Sequence, residues 1–284
     1  MRILKFVGLA TVSAFLMATA VVPARAGNIA LTGHDDDFHC DFGSSGGCTQ
    51  LAALVSFARS GSTLPVLTFD SGTELTGDLT TLGVSFVNVN PNTAASVTAS
   101  LFDNTKYSAF IVASDSSCGG CDNSPAGEAN IAAQSAAIEA FLNAGGGVVG
   151  LAGANSSGYY SFVPQAATSV GGAPSTGYSA TSVGTSFGIN AVNGDPTHNL
   201  FWDPGTHGES AFYQVAEVNS FGNGTIPGPT AAATLICVAC TTSGGVITGG
   251  GGGGSPVPEP STYALLAAGL LGLGVFSKRR FKRS

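Results

Sequence analysis

Apolar and polar positions along this chain fall into blocks that switch between two periods. Short apolar runs bordered by glycine or polar residues read as buried strands. Runs with apolar residues three or four apart read as helices. The first strand is 28–32, stopping at Gly33. Residues 49–59 set Leu51, Leu54, Val55 and Ala58 on one helical face. Strands follow at 65–69 and 84–89, with a short helix at 75–82 between them. The spacing predicts another helix over 94–102 and a buried strand over 110–112. The longest helical pattern, 128–144, aligns Ile131, Ala132, Ser135, Ile138, Phe141 and Leu142 and stops at Gly145-Gly146-Gly147. Residues 148–151, 211–218 and 232–238 read as later strands. This alternation implies an α/β fold, a flavodoxin-like parallel sheet with helices on both faces.

The two ends do not belong to that pattern. Arg2 and Lys5 precede an apolar run, 7–22, and Ala24-Arg25-Ala26 is an A-x-A cleavage site, so residues 1–26 read as a signal peptide. Residues 27–243 form the body and 244–256 a glycine-rich linker, with a span of roughly 20 Å by random-coil scaling. The segment 257–284 holds Val257, Pro258, Glu259 and Pro260, an apolar run to Phe276, then Lys278, Arg279, Arg280, Lys282 and Arg283. A spanning helix needs about 20 apolar residues, and snorkelling of the flanking cations extends a shorter run. The run is therefore expected to be a single membrane-anchor helix, its basic end cytoplasmic and the body outside the inner membrane. A buried core helix would not carry these five cations.

This tail resembles the PEP-CTERM sorting signal of Gram-negative bacteria, which membrane enzymes called exosortases process. The tail family is also labelled an ice-binding C-terminal domain, but the body has no Thr-x-Thr repeats. The resemblance implies an exported, membrane-anchored precursor, an exosortase-type partner and a final place at the cell surface or in the extracellular matrix. Exopolysaccharide is a further expected partner there.

Setting the targeting segments aside changes the charge. Arg59 and Lys106 are the only Lys or Arg left in the body, which keeps every acidic residue except Glu259. Such a body should repel nucleic acid and anionic surfaces and attract cations.

Six cysteines form three close pairs, Cys40/Cys48, Cys118/Cys121 and Cys237/Cys240. In an exported chain local disulfides are the simplest reading. Cys118-Gly-Gly-Cys121 and Cys237-Val-Ala-Cys240 also have the C-x2-C spacing of a zinc site, and the first could be a redox motif.

The body has a resemblance of its own. Residues 107–113, the long helix and 141–151 are similar to class I glutamine amidotransferase-like domains, nearest their ThuA-like branch. Ile29 to His34, His198 to Trp202 and Glu209 to Tyr213 echo other segments of that branch. The resemblance implies a nucleophilic Cys on the turn after strand 148–151. That turn carries Ala152, which offers no nucleophile. Acyl-transfer chemistry is not expected.

The remaining chemical signal is the run His34, Asp35, Asp36, Asp37, Phe38, His39, Cys40, Asp41. If extended, it would place Asp35, Asp37, His39 and Asp41 on one face. Carboxylates suit Ca²⁺ or Mg²⁺, and His with Asp suits Zn²⁺ or Mn²⁺. The run is no EF-hand, since Gly46 stands where the twelfth-position Glu belongs. The loop would sit at the carboxyl edge of the sheet, where Asp70, Asp115 and Asp122 could join it. The competing reading is a solvated acidic loop capping the next helix. His198 and His207, near Trp202, read as packing residues. Two function classes remain. One is a non-catalytic envelope or matrix protein binding sugar or a divalent cation. The other is a metal-dependent hydrolase or carbohydrate-active enzyme built on Asp35, Asp37 and His39.

Overall fold

The computed structural model describes residues 26–250, except 41–45, 119–120, 155, 157, 166, 195–197, 205–206, 208–210 and 229. The signal peptide, most of the linker, the Val257–Pro260 motif, the apolar run and the basic end lie outside the described residues. Among the described residues no helix is long and apolar enough to cross a membrane.

Five strands, β1 (Gly27–Thr32), β2 (Val66–Phe69), β3 (Phe86–Val89), β4 (Ala109–Val112) and β5 (Gly147–Gly150), form a parallel block in the order β3-β2-β4-β5-β1. Their side chains alternate between two cores. Ile29, Leu31, Leu67, Phe69, Phe110, Val112 and Val148 face one layer. That layer holds α4 (Pro125–Ala132) and α5 (Ser135–Asn143). Ala30, Val66, Ala109, Ile111 and Val149 face α2 (Gly47–Arg59) and α3 (Glu74–Thr81) on the other side. Two covered faces explain why these strands are apolar throughout rather than alternating.

The sheet departs from the expected parallel, flavodoxin-like order. Six strands follow β5: β6 (Ser169–Gly171), β7 (Tyr178–Ala180), β8 (Asn199–Phe201), β9 (Gln214–Asn219), β10 (Ala231–Ser243) and β11 (Val246–Gly249), all paired antiparallel. A flavodoxin-like order of 2-1-3-4-5 keeps the first strand inside the block. Here β1 ends the parallel block and pairs on its other side with β10. The sheet is therefore mixed.

Three local expectations also shift. The helix expected over 94–102 is two 3₁₀ turns, Ala94–Ser96 and Ala99–Leu101, separated by extended Val97 and Thr98. β-Branched side chains and competing hydroxyls disfavour a continuous helix there. The helix expected over 128–144 starts earlier and breaks. Ser124 caps it, accepting from Gly127 N, and Pro125 occupies its first turn. Gln134 then turns the chain, with its side chain on the Val97 carbonyl at 3.3 Å. Finally, β11 pairs with β10 inside the expected linker, through a turn at Gly244 and Gly245, both at positive φ. The ordered body therefore runs past residue 243.

Candidate functional site

The loops leaving the carboxyl ends of β1, β2, β4 and β5 carry the polar groups. β8 completes this edge. On β10, Thr234 pairs with Thr32 of β1, and Ala232 with Phe201 of β8. β8 thus lies beyond the end of β1, and the backbone N–H of His198 donates to the Gly33 carbonyl at 2.8 Å. That register brings two loops more than 160 residues apart in sequence into contact.

The acidic run is buried, not solvated: His34, Asp35, Asp36 and Asp37 are at most 1% exposed. Residues Asp36–His39 form a one-turn helix, α1, so the alternate-residue face does not form. Helical spacing instead brings His39 Nε2 to 3.4 Å from Asp35 Oδ2. His198 Nε2 reaches the same oxygen at 3.1 Å, and Cys121 Sγ lies 3.7 Å from it. Among the described residues, buried Asp35 Oδ1 has no hydrogen-bond partner. Burial pushes the Asp35 carboxyl up, but hydrogen bonds and charge from His198 and His39 outweigh it and hold the group at about 2. Asp35, His198 and Cys118 offer ligand atoms within 4.8 Å of one another. Both histidine side chains are 20% exposed, so this cluster has access to solvent.

Asp37 points elsewhere. Ser114 donates its N–H to Asp37 Oδ2 at 2.7 Å and its hydroxyl to Oδ1 at 2.6 Å. Burial still pushes Asp37 up to about 7, with the Asp35 and Asp70 charges adding to it. Asp70 receives N–H groups from Gly72 and Thr76, yet burial and the nearby Asp122 raise it to about 6. Asp115 binds Ser117 N through Oδ1 at 2.8 Å. Asn123 ties the strands beneath by donating to the Phe69 and Ala113 carbonyls. Asp70 stands near enough to Asp37 for its charge to act on it, and Asp122 stands beside Asp70.

His34 has a different partner. Its Nε2 lies 3.0 Å from Glu217 Oε2. Gln50 and Thr234 donate to the same oxygen at 3.0 and 2.9 Å, and Val192 N donates to Oε1 at 2.9 Å. All these side chains are fully buried.

Asp41 lies outside the described residues. His207 stacks on Trp202, ring centroids 3.6 Å apart, as a packing residue should. His198, read the same way from sequence, instead lies against the Asp35 carboxylate. Its only sequence signal was its place just before a short strand. Glu217 and Ser114 were also missed, although a Glu within the apolar run of β9 is itself a signal. The cysteines pair locally as disulfides, Cys40–Cys48, Cys118–Cys121 and Cys237–Cys240. Ala152 is fully buried, its N–H on the Ser114 hydroxyl at 3.1 Å and its carbonyl on Asp115 N at 2.8 Å.

Residues 256–280 match the PEP-CTERM protein-sorting motif. The chain carries a sorting signal. That signal implies recognition by an exosortase, export and membrane-anchored processing. No curated protein and no solved structure matches the chain.

Proposed function

We propose that this is a non-catalytic surface protein whose body binds one divalent cation at the carboxyl edge of its sheet. Asp35 and His198 supply the ligands, and His39 holds Asp35 from the other side. The observation that carries this reading is the Asp35 carboxylate. One oxygen is shared by two solvent-accessible histidines, and the other is buried without a partner among the described residues. A buried polar atom left without a hydrogen bond is costly, and a bound cation would satisfy it. Mixed nitrogen and oxygen donors favour Zn²⁺ or Mn²⁺ over Ca²⁺.

The amidotransferase-like resemblance of the body fits this role as a scaffold only. Ala152 stands at the nucleophile position and is closed off beneath Ser114. The sorting tail suits a protein retained at or released from the envelope, where exopolysaccharide is the partner to search for.

Calorimetric titration of the full chain in detergent, with its disulfides intact, tests the reading. One Zn²⁺ or Mn²⁺ per chain is expected, lost in Asp35→Ala and weakened in His198→Ala. Absence of saturable binding, or an unchanged affinity in Asp35→Ala, would overturn it.

A further inference from the structure

The cation set proposed above is short of ligands while Cys118 and Cys121 are bonded to each other. Cys118 Sγ belongs to the one ligand group among the described residues whose atoms lie within 4.8 Å of one another, with Asp35 and His198. Cys121 Sγ is 3.7 Å from Asp35 Oδ2. Ligand atoms around a tetrahedral zinc, with bonds of about 2.0–2.3 Å, stand roughly 3.3–3.8 Å apart. Two sulfurs, one carboxylate oxygen and one imidazole nitrogen would complete four-coordination. The two cysteines also have the C-x2-C spacing from which zinc sites are built.

We infer that the Cys118–Cys121 disulfide is a redox gate on the cation site. Reduction converts a weak Asp35/His198 site into a four-ligand Cys118/Cys121/Asp35/His198 site for Zn²⁺. This rests on the reading of the Asp35 cluster as a cation site and adds its regulation.

The step balances with a dithiol reductant. Cys118 is partly exposed, whereas Cys121 is 8% exposed, so a thiolate of the reductant attacks Cys118 Sγ. The Cys118–Cys121 bond breaks and its electron pair leaves on Cys121 Sγ, 3.7 Å from the Asp35 oxygen that both histidines contact. The second thiol of the reductant then attacks the mixed disulfide and releases Cys118 as a thiolate. The reductant departs as its own disulfide, having delivered two electrons and two protons. Zinc then displaces the protons from the sulfurs it binds. The other two disulfides are not part of this set: Cys237 and Cys240 are buried at the opposite end of the sheet, and Cys40–Cys48 joins α1 to α2.

The test is Co²⁺ and Zn²⁺ binding to the full chain, oxidised and after dithiol reduction. Cobalt reports directly, because thiolate ligation gives a charge-transfer absorption that nitrogen and oxygen ligands do not. Reduction should tighten Zn²⁺ binding roughly 100-fold or more, as soft thiolates enter the set. The charge-transfer band should appear with it, and both should vanish in the Cys118→Ser/Cys121→Ser double variant. A Cys40→Ser/Cys48→Ser control should keep both. Equal affinity in the two states without a thiolate band would overturn the gate and leave the cation site standing. A thiolate band with no binding to the oxidised chain would support the gate but remove the function proposed for the oxidised form. Absence of binding in either state would overturn both. The unaltered chain already decides between these outcomes, so misfolding of a variant would not leave the matter open.

Discussion

Among the described residues, two buried carboxylates meet histidine, and they are built in opposite ways. Glu217 is saturated. Four groups, from the loop after β1, α2, β10 and the loop before β8, fill both of its oxygens, and His34, Gln50 and Thr234 are as buried as it is. Asp35 is unsaturated. Its histidines are open to water and one oxygen has no partner. The first pair locks the antiparallel half of the sheet to β1. The second is held in place but unfinished. Pairing with histidine is therefore not what separates the two; the state of the remaining lone pairs is.

The sharpest way to break this comparison is Glu217→Ala. It strands His34, Gln50, Thr234 and Val192 N in a dry interior. Each buried polar group left without its partner costs about 1–3 kcal/mol. The Tm should fall by roughly 10 °C for a body of this size. A drop of only a degree or two by calorimetry would show that the network is not structural.

The next effect is a pH dependence from the Asp37 side of the same edge. An acid whose folded pKa lies above its unfolded value stabilises the fold while protonated and loses that contribution as pH rises through the folded pKa. Asp37, raised from 3.8 to about 7, and Asp70, raised to about 6, both act this way. Asp35, lowered to about 2, acts oppositely and matters only as pH falls below its unfolded value of 3.8. Stability should therefore peak near pH 4 and decline toward neutrality. Asp37→Asn should flatten most of that decline, raising the Tm at pH 7.5 by roughly 5–10 °C. A slope as steep in the variant as in the parent would exclude Asp37 as its source.

Much of this arrangement was legible in the sequence, and the illegible parts share one cause. The five parallel strands and the helices α2 and α3 are local patterns, and apolar spacing places them to within a few residues. So is the acidic run at the end of β1. What the sequence could not supply was register across long separations. His198 reaches Asp35 because β8 extends the line of β1 along β10, and no local pattern encodes that. Three-residue strands such as β6 and β8 carry too few residues to show a period. The face expected for Asp35, Asp37, His39 and Asp41 failed because one helical turn replaced an extended segment. The same turn made Asp35 and His39 neighbours at i and i+4.

Asp35→Ala sharpens the contrast from the other side. It removes a buried charge whose second oxygen is without a partner, and both histidines it binds can turn to water. Its cost in stability should be about 1 kcal/mol or less without cation, several-fold below that of Glu217→Ala. Saturating Zn²⁺ should raise the Tm of the parent and leave the variant unmoved, by ligand linkage. A variant still stabilised by Zn²⁺ would show that the ion binds elsewhere.

The smallest effect separates the two histidines that flank the same strand. His198 and His207 bracket β8, and sequence reasoning gave them one role. His207 is exposed and stacks on Trp202, so His207→Ala should change stability by less than about 0.5 kcal/mol. It should leave Zn²⁺ affinity unchanged. His198→Ala should be similarly mild in stability, because the ring is partly solvated and its backbone bond to Gly33 survives. It should nevertheless cost most of the Zn²⁺ affinity. Equal effects of the two variants on binding would mean that proximity to Asp35 confers no special role, and that the ion responds to the acidic surface as a whole. Unequal binding at equal stability would place the ligand function on the side chain that completes the unsaturated carboxylate.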